Sequence, residues 1–408
     1  MKILALNGGS STLKAMLREV REALPSVPAP PLWEAQAEWG RRPGKARIRV
    51  RSGAVQTESE VDIETPAAVL EPVLDLLWSG PAKAAAGPAE IAVVGHRVVH
   101  GGHAFTRTVR IGKAVKDEIR KYVDFAPEHN RLELEAIEVA ERLIPEAPQI
   151  AVFDTAFHTT LPLHARVYPV PYEWFEKGVA RYGFHGISHQ YASRRAAEIL
   201  GRAPDALRLV TCHLGNGASL AAVRAGKSVD TTMGFTPLEG LMMGTRSGSI
   251  DPGIPIYLVR HRGYGADQLD RALNKESGLK GVSGISSDMR EIVTAMQAGH
   301  ARAALAFDVY VYRLVSAIAA MTASLGGLDA LVFTAGIGEN CAPLREQTCR
   351  RLSYLGVDLD ADKNAAGAMD TDIALPGSSV RVVVLHAEED WEIARECWRV
   401  MTGAEPTY

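Results

Sequence analysis

Met1 to Asn7 is a short apolar run that ends at Gly8-Gly9, and beyond it Leu13, Ala15 and Leu17 alternate with Lys14, Met16 and Arg18. Alternation of period two on either side of a glycine turn predicts a β-hairpin. Pro25, Pro28, Pro30 and Pro31 oppose regular structure in the stretch that follows. Residues 21–46 therefore read as a surface connection, with Trp33 and Trp39 packing back on the body. Ile48 and Val50, alternating with arginines, read as a third strand. The pattern then predicts a helix over about 66–79, a strand over Ile91–Val94, helices between 113 and 145, and a strand over Ile150–Phe153.

The second half repeats that order. Gly8, Leu13 and Ala15 in GGSSTLKA match Gly215, Leu220 and Ala222 in GNGASLAA at a constant offset of 207, and both segments lead from a buried strand into an alternating one. A long helix over 301–325, a strand over Ala330–Thr334, a helix after Asn340, a strand over Val380–Leu385 and a terminal helix from Asp390 complete the copy. The expectation is a duplicated α/β domain with a cleft between the two copies.

A chain of 408 residues gives a prior of two to three domains at about 150 residues each. With 47% hydrophobic and 23% charged residues it is neither disordered nor fibrous. Lys and Arg number 45 against 48 Asp and Glu, so no overall positive field exists to hold nucleic acid or an anionic membrane, and any anion site must be local. Cys212, Cys341, Cys349 and Cys397 form no CxxC pair and fit reduced thiols in a cytoplasmic protein. The opening MKILALNGGSS is too short an apolar run for a signal peptide. Ala303–Leu325 is apolar but carries Asp308 and Arg313, which makes it a buried or dimer-facing helix rather than a membrane span.

Three glycine-bearing turns follow apolar strands: Asn7 to Ser11, His213 to Ser219, and Thr334 to Asn340. Glycine lets backbone N–H groups crowd a phosphate, so three such turns together point to a nucleotide, whereas any one alone is explained by turn geometry. Gly226-Lys227-Ser228 is not the end of a P-loop, because the first glycine position holds Ala221. Gly336-Ile337-Gly338 has Cys341 where a dinucleotide fingerprint needs glycine. Dense His, Arg and Asp clusters surround these turns, and arginines in glycine-flanked loops suit a transferring phosphoryl group. Bland roles stand beside that one: Arg97 as a surface ion pair, and His185 with His189 as a structural pair or metal ligands, although no third ligand has metal spacing.

NGGSS, HRVVHGG, APEHN, FDTAFH, RYGFHGISH, HLGNGAS, MGFTPLEGLMMGTRSG, SSDMR, FTAGIGEN and AEEDWEIAR, spread over nearly the whole chain, resemble the acetate kinase family of the sugar kinase and actin superfamily. The resemblance implies two duplicated ribonuclease-H-like, actin-like ATPase domains with the active site between them. The first spans 1–156 and is completed by a C-terminal helix over 391–408; the second, nucleotide-binding, spans 157–390. It implies a homodimer that reversibly moves a phosphoryl group from ATP to a short carboxylate with Mg²⁺, or Mn²⁺ in its place. By the same resemblance Asn7 and Glu388 match magnesium-associated positions and Lys14 a residue near the nucleotide. His213, Leu214, Gly215, Asn216 and Gly217, then Asp288, Met289 and Arg290, then Gly336, Ile337, Gly338, Glu339 and Asn340, match ATP-binding segments. Arg97 matches the carboxylate-binding arginine, Asp154 the active-site acid, His185 and Arg246 the pair that stabilises the transition state, and His129 a further active-site histidine. Val99, Phe184 and Pro237 match walls of the acyl pocket.

The chemistry of a carboxylate acceptor agrees with these roles. A carboxylate is already nucleophilic at neutral pH, so the task is positioning and charge neutralisation, for which bidentate arginines suit better than lysines. Asp154 then organises an arginine or a metal-bound water, because the acceptor has no proton to give. Several positions depart from the family pattern. Glu128 replaces a leucine beside the acyl pocket, His386-Ala387 replaces Thr-Asn, Ser249 replaces an aspartate, and residues 21–60 are expanded. Glu128 either turns outward or pairs with His129 or an arginine, or it makes the pocket prefer an acid other than acetate, one with a polar or cationic tail; a propionate- or butyrate-type kinase is the runner-up within the class. A non-catalytic nucleotide-gated binding protein is the reading from a different class.

Overall fold

A computed structural model describes the whole chain except residues 10, 41, 43, 124–129 and 405–408, so Glu128 and His129 lie outside the described residues. The chain forms two units, one of Met1–Phe157 with Glu388 and the C-terminal helix, the other of His158–Ala387.

The sheet of the first unit contains β1 (Lys2–Gly8), β2 (Thr12–Glu19), β3 (Trp33–Trp39), β4 (Lys45–Ser52), β5 (Val55–Asp62), β6 (Val93–Val98), β7 (Val109–Arg110) and β8 (Gln149–Phe153), in the order β5-β4-β3-β2-β1-β6-β8-β7. β1 to β5 form an antiparallel meander, β1, β6 and β8 run parallel, and β7 is antiparallel at the edge. The second unit contains β9 (Arg208–Leu214), β10 (Ala218–Arg224), β11 (Lys227–Thr231), β12 (Ala330–Thr334), β13 (Thr371–Asp372) and β14 (Arg381–Val384), in the order β11-β10-β9-β12-β14-β13. Strand by strand this repeats β3-β2-β1-β6-β8-β7, with the same sequence of antiparallel, antiparallel, parallel, parallel and antiparallel pairings. The fold is therefore a duplicated α/β unit of the actin-like ATPase type.

Helices cover the sheets where the strands are apolar on both faces. In the first unit the C-terminal helix Glu389–Thr402 lies on β1 and β6. Gly95 in β6 permits the approach, because a Cβ there would lie 2.7 Å from Ile393 Cγ2 and would collide with Cys397 Sγ. In the second unit Ala301–Leu325 packs on β9, β10 and β11, burying Phe307, Tyr310, Leu314 and Ile318. This is the one helix among the described residues long and apolar enough to cross a membrane, and its inward face is core.

Three elements differ from the sequence expectation. Residues 21–46 hold β3, so the strand of Ile48 and Val50 is the fourth and not the third. Trp33, Ala35 and Ala37 alternate toward the core while Glu34, Gln36 and Glu38 face outward, a period-two signal that the upstream prolines obscured. β5 carries no apolar alternation at all; it is held by its ladder to β4 and by ion pairs such as Arg47 to Glu58 at 2.5 Å. Finally, Ala335–Asn340 is a short helix rather than an open glycine turn, entered through Ala335 at φ 64°.

Because Trp33 is fully buried in the core under β2 to β4, Trp33→Ala should destabilise the first unit by about 3–5 kcal/mol in denaturant unfolding. A loss below about 1 kcal/mol would return β3 to the status of surface decoration.

Candidate active site

In the first unit the C-terminal ends of three parallel strands bring together Gly8 from β1, Arg97 from β6 and Asp154 just after β8. Arg97 Nη1 donates to the Gly8 carbonyl at 2.9 Å and Nη2 to Asp154 Oδ2 at 2.8 Å. Asp154 is 1% exposed, and its own N–H donates to the Val98 carbonyl at 2.9 Å. Burial works against the charge on Arg97, but Asp154, Glu389 and Glu133 outweigh it and push its pKa up. Val99, buried beside it, donates its N–H to Glu133 Oε2 at 2.9 Å. Glu133 comes from the helix Asn130–Leu143, and its second oxygen has no partner among the described residues. Burial pushes the Glu133 carboxyl up to about 8 despite the opposing pull of Arg97 and the Val99 N–H. A cavity of about 40 Å³ lined by Leu6, Trp39, Leu70 and Ala136 borders both Arg97 and Glu133 and keeps their surroundings apolar.

The same strand ends carry Asn7 and lie against Glu388, the two positions that the resemblance matches to magnesium. Asn7 and Lys14 face each other in register across the hairpin, Asn7 buried and Lys14 exposed. Asn7 Nδ2 donates to Glu389 Oε2 at 2.9 Å, whereas Glu388 accepts from Arg18 Nη2 at 2.7 Å. Glu389, one residue past the predicted Glu388, is thus the carboxylate that faces Asn7. Asp390 beside them is buried, and burial pushes its carboxyl up to about 6. Amide and carboxylate oxygens are the hard donors that Mg²⁺ prefers. It draws much of its shell from water and phosphates, so a complete cage of protein ligands is not required, and no such cluster occurs among the described residues. The donor set fits the ion.

In the second unit the helix Gly186–Leu200 lays one face on the β9–β10 ladder. His185, Ser188 and His189 share that face at spacings of three and four residues, and Thr211, His213 and Ser219 share the facing side of the strands. His213 Nδ1 bonds Ser188 Oγ at 2.7 Å, His189 Nδ1 bonds Thr211 Oγ1 at 2.7 Å, and Ser219 Oγ bridges His189 Nε2 at 2.8 Å and His185 Nδ1 at 2.9 Å. The His185 and His213 rings stack at 4.1 Å between centroids. His185 enters the helix at φ 56°, a left-handed conformation costly for a residue with a Cβ. Phe184 before it is buried, and its carbonyl bonds His158 Nε2 at 3.1 Å.

Gly217 explains the glycine of the second turn. A Cβ at this position would stand 3.3 Å from His185 Nε2 and 3.5 Å from Arg246 Nη1, so both groups close on bare backbone. Arg246 is braced by the Pro237 carbonyl at 3.3 Å. Arg181, at the head of RYGFHGISH, donates to the carbonyls of Thr231, Thr232 and Met233 and pairs with Glu239 at 2.7 Å, which fixes the loop that carries Pro237.

The remaining ATP-matched residues occupy two further places in this unit. Asp288 caps the helix Met289–Gln297 and pairs with the exposed Arg290 at 2.6 Å, and that bond lowers the Asp288 pKa. In Gly336–Asn340, Gly336 and Asn340 are exposed while Glu339 is buried, with Oε1 accepting from the Ala387 N–H at 2.8 Å and Oε2 bonded to His386 Nδ1 at 2.9 Å. The departure His386-Ala387 thus anchors Glu339. Ser249, the other departure, accepts the Gly240 N–H at 3.1 Å within its own loop. Sequence reasoning missed Glu133, Glu389 and the Ser219–Thr211 pair. Ser219 stood inside a quoted turn, but nothing marked its hydroxyl as a bridge between histidines.

A duplicated actin-like ATPase fold with arginine, histidine and glycine gathered at its strand ends defines a phosphotransferase. The model of the Acetokinase family matches residues 2–395, and the chain belongs to that family. Acetate kinase of Cyanothece sp. is 53% identical over 402 residues, covering 98% of each chain, and acetate kinase of Gloeobacter violaceus is 54% identical over 401 residues, covering 98% of this chain and 99% of its own. The crystal structure of Porphyromonas gingivalis acetate kinase matches with a TM-score of 0.89 at 39% identity, covering 98% of this chain and 99% of its own. A propionate kinase from Francisella tularensis matches at 0.87 and 36%, covering 97% of this chain and 98% of its own. This chain is a phosphotransferase that uses ATP and acts on a carboxylate.

Glu133 ties this site to pH. Its carboxyl keeps its proton in the fold up to about 8, while an unfolded chain releases it near the ordinary value of 4.5, so the folded state binds more protons in between and loses stability as pH rises. Between about pH 5 and about pH 8 the thermal midpoint of the wild type should fall relative to Glu133→Gln, and level off above that. A difference that stays flat across the range would show that Glu133 is ionised throughout.

Proposed function

We propose that the enzyme catalyses reversible, direct in-line transfer of the γ-phosphoryl group of ATP to acetate, giving acetyl phosphate and ADP. The observation that carries the reading is the approach of His185 Nε2 and Arg246 Nη1 to the bare backbone of Gly217. An imidazole and a guanidinium beside bare backbone, with no side chain beneath them, suit the equatorial oxygens of a phosphoryl group as it flattens. Arg97 binds the acceptor carboxylate and Asp154 holds the guanidinium in orientation; neither needs to remove a proton. Val99, Phe184 and Pro237 wall the acyl chain, and His129 assists beside the acceptor. The segments His213–Gly217, Asp288–Arg290 and Gly336–Asn340, with Lys14, hold the nucleotide. Asn7 with the carboxylates at 388 and 389 holds Mg²⁺, or Mn²⁺, whose charge offsets that of the phosphates when it is bound.

The match to a propionate kinase supports a second reading in which a three-carbon acid is also an acceptor. Initial rates on acetate, propionate and butyrate separate the two, and a preference for acetate that survives Glu128→Leu removes any role of Glu128 in the choice.

The enzyme acts as a cytoplasmic homodimer, in keeping with four buried free cysteines. The helix Gly253–Arg262 buries no residue yet exposes Ile254, Ile256, Tyr257 and Val259, each about half accessible. A surface helix that is apolar without a buried face needs a cover, and a second copy supplies it. Ile256→Glu should shift sedimentation toward the monomer; an unchanged profile would place the interface elsewhere.

Trapping with hydroxylamine in the presence of ATP, Mg²⁺ and acetate should yield acyl hydroxamate from the wild type, and Arg246→Ala should lower kcat by about 10²–10³. ATP binding with no trapped product would instead favour a nucleotide-gated binding protein.

A further inference from the structure

β6 and its ladder to β8 end at Val98, so the buried backbone that follows needs other partners for its polar groups. Side chains supply them. Glu133 Oε2 accepts the Val99 N–H at 2.9 Å. Asn130 Oδ1 accepts the His100 N–H at 3.2 Å while Asn130 Nδ2 donates to the His100 carbonyl at 3.1 Å, and Thr155 Oγ1 accepts the Gly101 N–H at 3.2 Å. The direction of each bond is fixed, because a backbone N–H only donates and a carbonyl only accepts. The same pairing settles the Asn130 amide, which if turned over would set donor against donor and oxygen against oxygen. Asn130 is fully buried and Glu133 is 6% exposed, so these bonds lie out of reach of bulk water. The two side chains are three residues apart on the first turn of the helix Asn130–Leu143 and grip consecutive residues of the segment from one element.

We propose that Asn130 and Glu133 are positioning residues for the acceptor: by holding the backbone of Val99 and His100 they fix the wall that Val99 presents to the acyl chain and so set which short acid is preferred. The proposal rests on the acceptor site given above. Neither residue belongs to the set matched to substrate, nucleotide or metal; each acts through the main chain at Val99. Arg97, two residues earlier, is fixed by its own bonds to Asp154 and the Gly8 carbonyl. Loss of the Glu133 acceptor therefore leaves the grip on the carboxylate in place and loosens the wall. Acceptors that differ by one methylene are told apart only by such a wall, since both offer the same carboxylate to Arg97.

Initial rates of the intact enzyme on acetate, propionate and butyrate read the wall as a ratio of kcat/KM values. Glu133→Met keeps the length of the side chain and removes its acceptor. The acetate-to-propionate ratio should fall by about 5- to 10-fold in this variant, with KM for ATP within about twofold of the wild type. Glu133→Gln, whose carbonyl still accepts the Val99 N–H, should restore the wild-type ratio. Asn130→Leu is nearly isosteric, cuts both bonds to His100, and should move the ratio in the same direction. A ratio that stays at the wild-type value in the folded variants overturns the proposal, even where both rates fall together, because a merely structural role gives that result. Backbone amide exchange in the wild type needs no variant and covers the case in which the substitutions fail to fold. The Val99 and His100 amides should exchange as slowly as those of β6, and exchange at the rate of an open loop overturns the proposal. Failure of the functional reading itself would show separately, as wild-type enzyme that yields no acyl phosphate from any of the three acids.

Discussion

A guanidinium drawn out of water must meet an anion, and in the first unit that requirement falls on Arg97. Its two bonds, to Asp154 and to the Gly8 carbonyl, tie together the ends of β6, β8 and β1, which are the three parallel strands of the sheet. Deleting Asp154 would leave a buried positive charge uncompensated, a loss of several kcal/mol rather than the loss of one hydrogen bond. The same pair holds the strand ends in register. Glu133 can remain protonated beside it because Arg97 already has its counter-charge, and a second full negative charge there would have to be desolvated.

The second unit repeats the strand order of the first without repeating its chemistry. In both, a hairpin of the first two strands turns back at glycine and small polar residues, and the parallel strands follow on one side. In the first copy the turn supports Asn7 and a carbonyl for Arg97; in the second it leaves Gly217 bare beneath His185 and Arg246. Duplication therefore supplied two equivalent strand-end positions, and substitution furnished one with a buried guanidinium and carboxylates and the other with bare glycine under an imidazole and a guanidinium. Fold likeness alone would not separate the two; the side chains at the turns do.

The hairpins, the long helix and the duplicated order were legible because their apolar positions keep one period over many residues, as Leu13, Ala15 and Leu17 do. β3 was hidden although its tryptophans and alanines alternate, because four prolines upstream dominate the local signal. β5 could not be read, since a strand that sends only Val61 against the core is defined by its partner and not by its own composition. Most residues of the candidate site were singled out through family-wide motifs and not through periodicity. What those motifs could not deliver were contacts made across elements, namely Glu133 to the Val99 N–H and Ser219 between two histidines. A glutamate on an amphipathic helix and a serine in a glycine turn each have an ordinary explanation until the fold buries them.

The strand end at Asn7 shows how strongly its surroundings depend on distant parts of the chain. Asn7 and Glu389 are 382 residues apart and meet because the last helix docks on the first strand. That docking needs Gly95, whose missing side chain admits Ile393 and Cys397 against β6. Contacts of such separation form late, after the loop-closure entropy of the intervening chain has been overcome. Glu389 therefore reaches Asn7 only when the last helix is docked on the first strand. Arg97 and Asp154 come from the first part of the chain, whereas the carboxylates of Glu388 and Glu389 come from its far end and complete the same unit.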